Sequence, residues 1–174
     1  MEKLKGDWRQ FDYRINSLRH IINGLENSIS ELKKYSKLDP LWSETFFYEE
    51  IEPIYGTAFI VLQNYVNSSI YDKFNTLKKK EQKYKKGKKI KSSGRTSIEL
   101  IIGLANYFKH RDDNRDFNIG TSDILNDFDL EHSDNSLYDL DSPIFIGLDI
   151  LSIDWKLNDL IEIVQKWRES LWKI

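Results

Sequence analysis

The sequence predicts an all-α fold: an up-and-down bundle of four main helices joined by long charged loops. Three observations lead there. Apolar residues recur at spacings of three and four in separate stretches, the period of one helix face. Strand signals are weak, and no internal repeat of solenoid length is present. With 174 residues, 40% of them apolar, a single domain spanning 1–174 can bury a sizeable core.

The first helix is read over 7–36, where Trp8, Phe11, Ile15, Leu18, Ile22, Leu25, Ile29 and Leu32 form four heptads of alternating three and four. Gly24 interrupts it weakly. His20, beside the seam, reads as a packed or half-exposed structural residue. Asp39-Pro40 marks a restart, since aspartate caps a helix and proline suits its first turn. A second helix follows over 41–70 on Phe47, Ile51, Ile54, Ala58, Val61 and Tyr65, with a kink expected from Pro53. Glu49, Glu50 and Glu52 lie beside that kink. Without Asp or His companions at ligand spacing, they read as a solvated or salt-bridged face rather than a metal site.

Charge is strongly segregated although the net value is only −2, so no overall attraction to polyanions follows. Residues 78–91 hold nine lysines against one glutamate, within a lysine-rich loop expected over 78–93. Such a block repels itself and reads as a mobile loop or frayed helix end. It can meet a phosphate backbone, although Tyr84 is its one aromatic and arginine is absent from it. An acidic, largely irregular segment is expected over 112–141, with nine aspartates, one glutamate and Arg115 as its single strong base. A short helix is allowed within it at 121–130. Its expected role is to face the lysine run, in this chain or in a partner. His132 lies among these carboxylates, which favour its charged form.

Ser142-Pro143 opens an apolar run, 144–153, too short to assign by period. Asp154 is the expected cap of a last helix over 155–172, carrying Leu157, Leu160, Ile161, Val164, Trp167 and Leu171 on one side.

Between the two charged blocks lies the helix read over 95–111. Its apolar side bears Ile98, Leu100, Ile101, Leu104, Ala105 and Phe108. At ~100° per residue, Arg95, Glu99, Asn106 and His110 share a ~60° arc, with Gly103 in its middle and Lys109 at its edge. A titratable stripe on an apolar helix must meet a partner, a ligand or water. Asn106 and His110, one turn apart, can approach the same group, and imidazole transfers protons near neutral pH. With Lys109 and Arg111 to hold a phosphate, these groups suffice for metal-independent RNA cleavage through an activated 2′-hydroxyl, or for simple anion binding. Lys109, His110 and Arg111 equally suit a helix C-terminus, where cations offset the dipole.

Other chemistries are disfavoured. There is no cysteine, hence no disulfide, thiolate nucleophile or Cys-ligated zinc. Three histidines in separate segments argue against a His-ligated metal, and no phosphate-binding glycine loop, GxSxG or HExxH occurs. No metal and no cofactor are expected. No apolar run approaches ~18 residues, and the first ten residues lack a signal-peptide core, so a cytoplasmic protein without a membrane segment is expected.

A helical bundle of this size with Asn-x-x-x-His late in a helix, ANYFKHRD in this chain, resembles the HEPN superfamily. Its catalytic members carry Arg-x4-6-His, commonly with a polar residue after the arginine. The resemblance implies a metal-independent endoribonuclease or RNA-binding protein of toxin–antitoxin or phage-defence type, working as a homodimer with two motifs across one cleft. It also implies a protein partner of antitoxin or nucleotidyltransferase type. Asn106 matches the polar position and His110 the histidine, while Ala105 stands where the arginine would. The implied roles are acid or base for His110, orientation for Asn106, and phosphate contact for Lys109, Arg111 and Arg115. Arg95 and Glu99 support the stripe; Arg95 lies about 22 Å before His110 along a helix. The other reading of the chain is a non-catalytic helical protein–protein interaction module.

Overall fold

A computed structural model describes residues 8–38, 44–113, 115–130 and 141–173. Among them the regular structure is helical, with no strand. A 3-10 turn at Trp8–Gln10 precedes α1 (Ile15–Leu38), α2 (Glu44–Phe74), α3 (Lys80–Tyr84), α4 (Ser97–His110), α5 (Ile119–Asp127), α6 (Pro143–Leu151) and α7 (Leu157–Trp172). The expected break at Asp39-Pro40, and His132, lie outside the described residues.

The centre belongs to α2, which packs against α1, α4, α6 and α7; α1 also meets α7, and α4 meets α5, α6 and α7. On α2, Ala58, Phe59, Leu62 and Val66 are fully buried, opposite Ile98, Leu100, Ile101 and Leu104 of α4 in one continuous core. Burying each of these side chains larger than alanine is worth about 1.5–3 kcal/mol. Two glycines set how closely the helices approach. A Cβ on Gly56 would stand 2.2 Å from the Phe108 ring, and one on Gly103 would stand 2.6 Å from Ile124. Gly103 thereby lets α5 lie directly on α4.

α4 begins with a complete capping box: Thr96 accepts from the Glu99 amide at 3.2 Å, while the Glu99 carboxylate accepts from the Thr96 amide at 2.9 Å. The apolar run after Ser142 is helical, with Ser142 as cap and Pro143 at the first position. Asp154 does not cap α7. It pairs with Lys156, whose own side chain makes no cap, and Asp159 in the first turn accepts from Ser152 instead.

α1 starts eight residues later than its heptads suggest. Arg168, buried on α7, donates to the carbonyls of Arg9, Gln10 and Phe11 and stands 3.5 Å from the Asp12 carboxylate. Tyr65 donates to the same aspartate, and Arg14 and Tyr13 both reach Asp72. Carbonyls held by a guanidinium are unavailable to a helix ladder, and Phe11 is left 75% exposed.

Candidate functional site

The polar stripe of α4 is largely covered by another helix. α5 runs along it, with contacts in reverse order: Arg95 donates to Asp127 at 2.6 Å, Gly103 receives Ile124, and Asn106 donates to Thr121 at 3.2 Å. Asn118, the cap of α5, accepts from both the amide and the hydroxyl of Thr121. On the other side of Asn106, its carbonyl accepts from Gln63 at 2.8 Å, and the Gln63 carbonyl accepts from Lys109 at 2.7 Å. A chain of donors and acceptors therefore crosses from α5 through α4 to α2. Asn106 thus has partners for both ends of its amide.

The predicted residues divide into four groups. Asn106 and Lys109 share the network just described. Partial burial, together with the nearby charge of Lys80, lowers the Lys109 pKa. Arg111 turns the opposite way: it donates to Glu52 at 2.5 Å and lies over the Phe108 ring at 4.7 Å. Ser142 donates to the same Glu52 oxygen, so Arg111 ties the end of α4 to α2 and α6. Arg95 and buried Glu99 pair at 3.1 Å at the far end of α4.

His110 is the fourth case, reaching solvent past the end of α5 with its side chain 41% exposed. Its Nδ1 lies 3.0 Å from Asp113, and Arg115 donates to the same carboxylate oxygen at 2.9 Å. Hydrogen bonds from His110 and Arg115 hold the Asp113 carboxyl below its usual range. With the proton on Nδ1, Nε2 is the nitrogen left to accept one. Asp113 is an addition to the expected site, although its i, i+3 spacing from His110 is legible in the sequence. Gln63 and Thr121 carry no comparable local signal.

No family model, curated protein or solved structure matches this chain. Its chemistry is read from its own side chains.

Those include the lysine run, which has definite local structure. Tyr84, buried on α3, donates to Asn67 at 2.7 Å, and its carbonyl accepts from the Thr96 hydroxyl at 2.9 Å. The Trp167 indole donates to the Lys83 carbonyl at 3.1 Å. The turn closes through a bridge between Lys89 and Thr96, with the Ile90 amide donating to the Arg95 carbonyl at 2.8 Å. Gly87 fits because a Cβ there would approach Ile98 to 2.9 Å. Among the described residues none of the nine lysines forms an ion pair; Lys83 sits 4.2 Å from the Phe74 ring centre instead. The described aspartates of the acidic segment that ion-pair do so with Arg95, His110, Arg111 and Arg115. Beside the turn is a cleft of about 510 Å³ whose cations are Lys85, Lys89 and Arg95. Among the described residues no cluster of His, Cys, Asp or Glu is arranged to hold a metal, and no helix is long and apolar enough to cross a membrane.

Proposed function

We propose that this chain is an HEPN-like RNA-binding protein whose four main helices, α1, α2, α4 and α7, form an up-and-down bundle. The observation that carries the RNA reading is the row of lysines on the anchored turn beside α4, none of which forms an ion pair among the described residues. Each lysine that meets a phosphate releases a counterion, and cations already fixed in place lose less entropy on binding. Lys80 approaches Lys109 closely enough to shift its titration, which extends the positive surface from the turn toward the end of α4. RNA following that surface arrives near His110.

In the cleaving form of this proposal, Asp113 orients His110 and Nε2 takes the proton from a 2′-hydroxyl. The oxygen of that hydroxyl bonds to the adjacent phosphorus as a 2′,3′-cyclic phosphate, while the P–O5′ bond breaks and the 5′-oxygen leaves with a proton from water. Arg115 is the adjacent cation, Arg111 being engaged with Glu52. A second copy supplies the opposite wall of the cleft, making a homodimer. The network around Asn106 supports a structural role for that residue.

Binding of single-stranded RNA across a salt series tests the reading. Replacing Lys85, Lys86, Lys88 and Lys89 by glutamine should flatten the plot of log affinity against log salt by about 0.7 for each phosphate no longer neutralised. An unchanged slope removes the lysine turn from RNA binding. Incubation with RNA in EDTA, beside His110→Ala, tests cleavage: product from the parent and none from the variant assigns the proton transfer. Equal product from both removes it.

A further inference from the structure

A second cleft, of about 950 Å³, lies on the other side of the lysine turn, between it and the α6–α7 corner. Its lining includes Ile90 from the turn, Ile150 and Leu151 from α6, and Ile163 and Trp167 from α7. Ile153 stands at its rim, 95% exposed. An isoleucine left almost wholly in water beside an apolar groove is stabilised when a ligand covers it.

The charges around this groove are unequal in a way that selects an occupant. Asp154 is paired with Lys156 at 2.6 Å, Glu162 with Lys166 at 3.0 Å, and Asp159 accepts from the Ser152 hydroxyl at 2.6 Å. On the facing rim Lys86, Lys88, Lys89 and Lys91 form no ion pair among the described residues. Among the described residues two of the acids thus have a lysine partner and the third a hydroxyl donor, while these four lysines have no carboxylate partner. The complement of this surface is an apolar ligand with carboxylates along one edge. RNA fits the floor poorly: Trp167 is buried, so its ring offers no face on which a base can stack.

We infer that the groove between the lysine turn and the α6–α7 corner docks an acidic amphipathic segment of a protein partner, with its aliphatic side chains on Ile90, Ile153 and Ile163 and its carboxylates on Lys86, Lys88 and Lys91. This inference stands on the apolar floor and does not rest on the RNA reading, although the two share lysines. A bound segment would withdraw those lysines from RNA.

The probe is a labelled synthetic helix with leucine at i, i+3, i+4 and i+7 and glutamate along one flank, followed by fluorescence anisotropy. Its controls are the same helix with lysine for glutamate, and with serine for leucine. The expected result is binding of the first peptide and weakening by at least about tenfold for both controls. Ile153→Ser, at an exposed position that leaves the core intact, should weaken the first peptide about tenfold while leaving oligouridylate binding unchanged. Lys88→Gln with Lys91→Gln should weaken it in a salt-dependent way. Equal binding of the serine peptide would reduce the groove to a bare cationic face and overturn the inference. So would loss of oligouridylate affinity in Ile153→Ser, which would assign the groove to nucleic acid. Capture of decanoate without the peptide would assign it to a small amphiphile, and self-association abolished by Ile153→Ser would assign it to a second copy. Either result overturns the inference.

Discussion

Gln63 of α2 and Asn106 of α4 meet at 2.8 Å, and each gives its remaining amide atom to a third residue: Gln63 to Lys109, Asn106 to Thr121. The pair joins three helices through a half-buried polar relay. An amide that has partners at both ends rigidifies a packed interface; one that must orient a substrate needs an end left over.

Asn106→Ala should therefore behave as a stability variant. It leaves the Gln63 amide nitrogen without its acceptor and takes one donor from the Thr121 hydroxyl, which keeps Asn118, at a cost of about 1–3 kcal/mol. The melting temperature should fall by roughly 2–4 °C for each kcal/mol. An unchanged melting temperature would make Asn106 a candidate for touching ligand again.

Two glycines on different helices should answer alanine with opposite signs. A Cβ at Gly24 would have nothing within 4 Å, so Gly24→Ala should stabilise α1 by about 0.4–1 kcal/mol. Gly103→Ala drives a methyl to 2.6 Å from Ile124 and should cost about 1–3 kcal/mol by lifting α5 from α4. Denaturant midpoints of the two variants check both signs.

Arg168 fastens the segment before α1. Arg168→Met keeps an apolar stem near Trp172 but takes the guanidinium from Asp12, which is left with Tyr65, and from the carbonyls of Arg9, Gln10 and Phe11. The expected loss is about 3–5 kcal/mol, with amide exchange accelerated first at residues 8–13. Global unfolding without that earlier local release would contradict the fastening role.

Alkali should unfold the protein cooperatively. Burial, reinforced by the Glu26 charge for Tyr55 and by the Glu52 charge for Tyr107, pushes both phenols up to about 12, and Tyr65 and Tyr84 are also raised. The folded state holds protons that the unfolded chain releases near pH 10. The contribution is therefore complete below pH 10 and is lost as pH rises from there through the folded values. Each phenol should cost about 1.4 kcal/mol per pH unit in that window. Ultraviolet titration should show these four ionising only with unfolding.

Helicity and the apolar side of α4 were legible in the residues alone, because a period of 3.6 is a local property that any core will use. So was the lysine block, and so was His110 as the polar end of that helix. What covers the stripe was not legible. Asn106 and Gln63 are 43 residues apart, and no local pattern announces that α5 will lie over Gly103 and close the face expected to be open. The same holds for the start of α1, where an arginine more than 150 residues away takes the carbonyls that a heptad would have claimed. Periodicity tells a side chain which way to point along its own helix. Only the packing of distant helices decides whether it meets water, hydrocarbon or another amide, because desolvation and hydrogen bonding are settled between elements rather than within them.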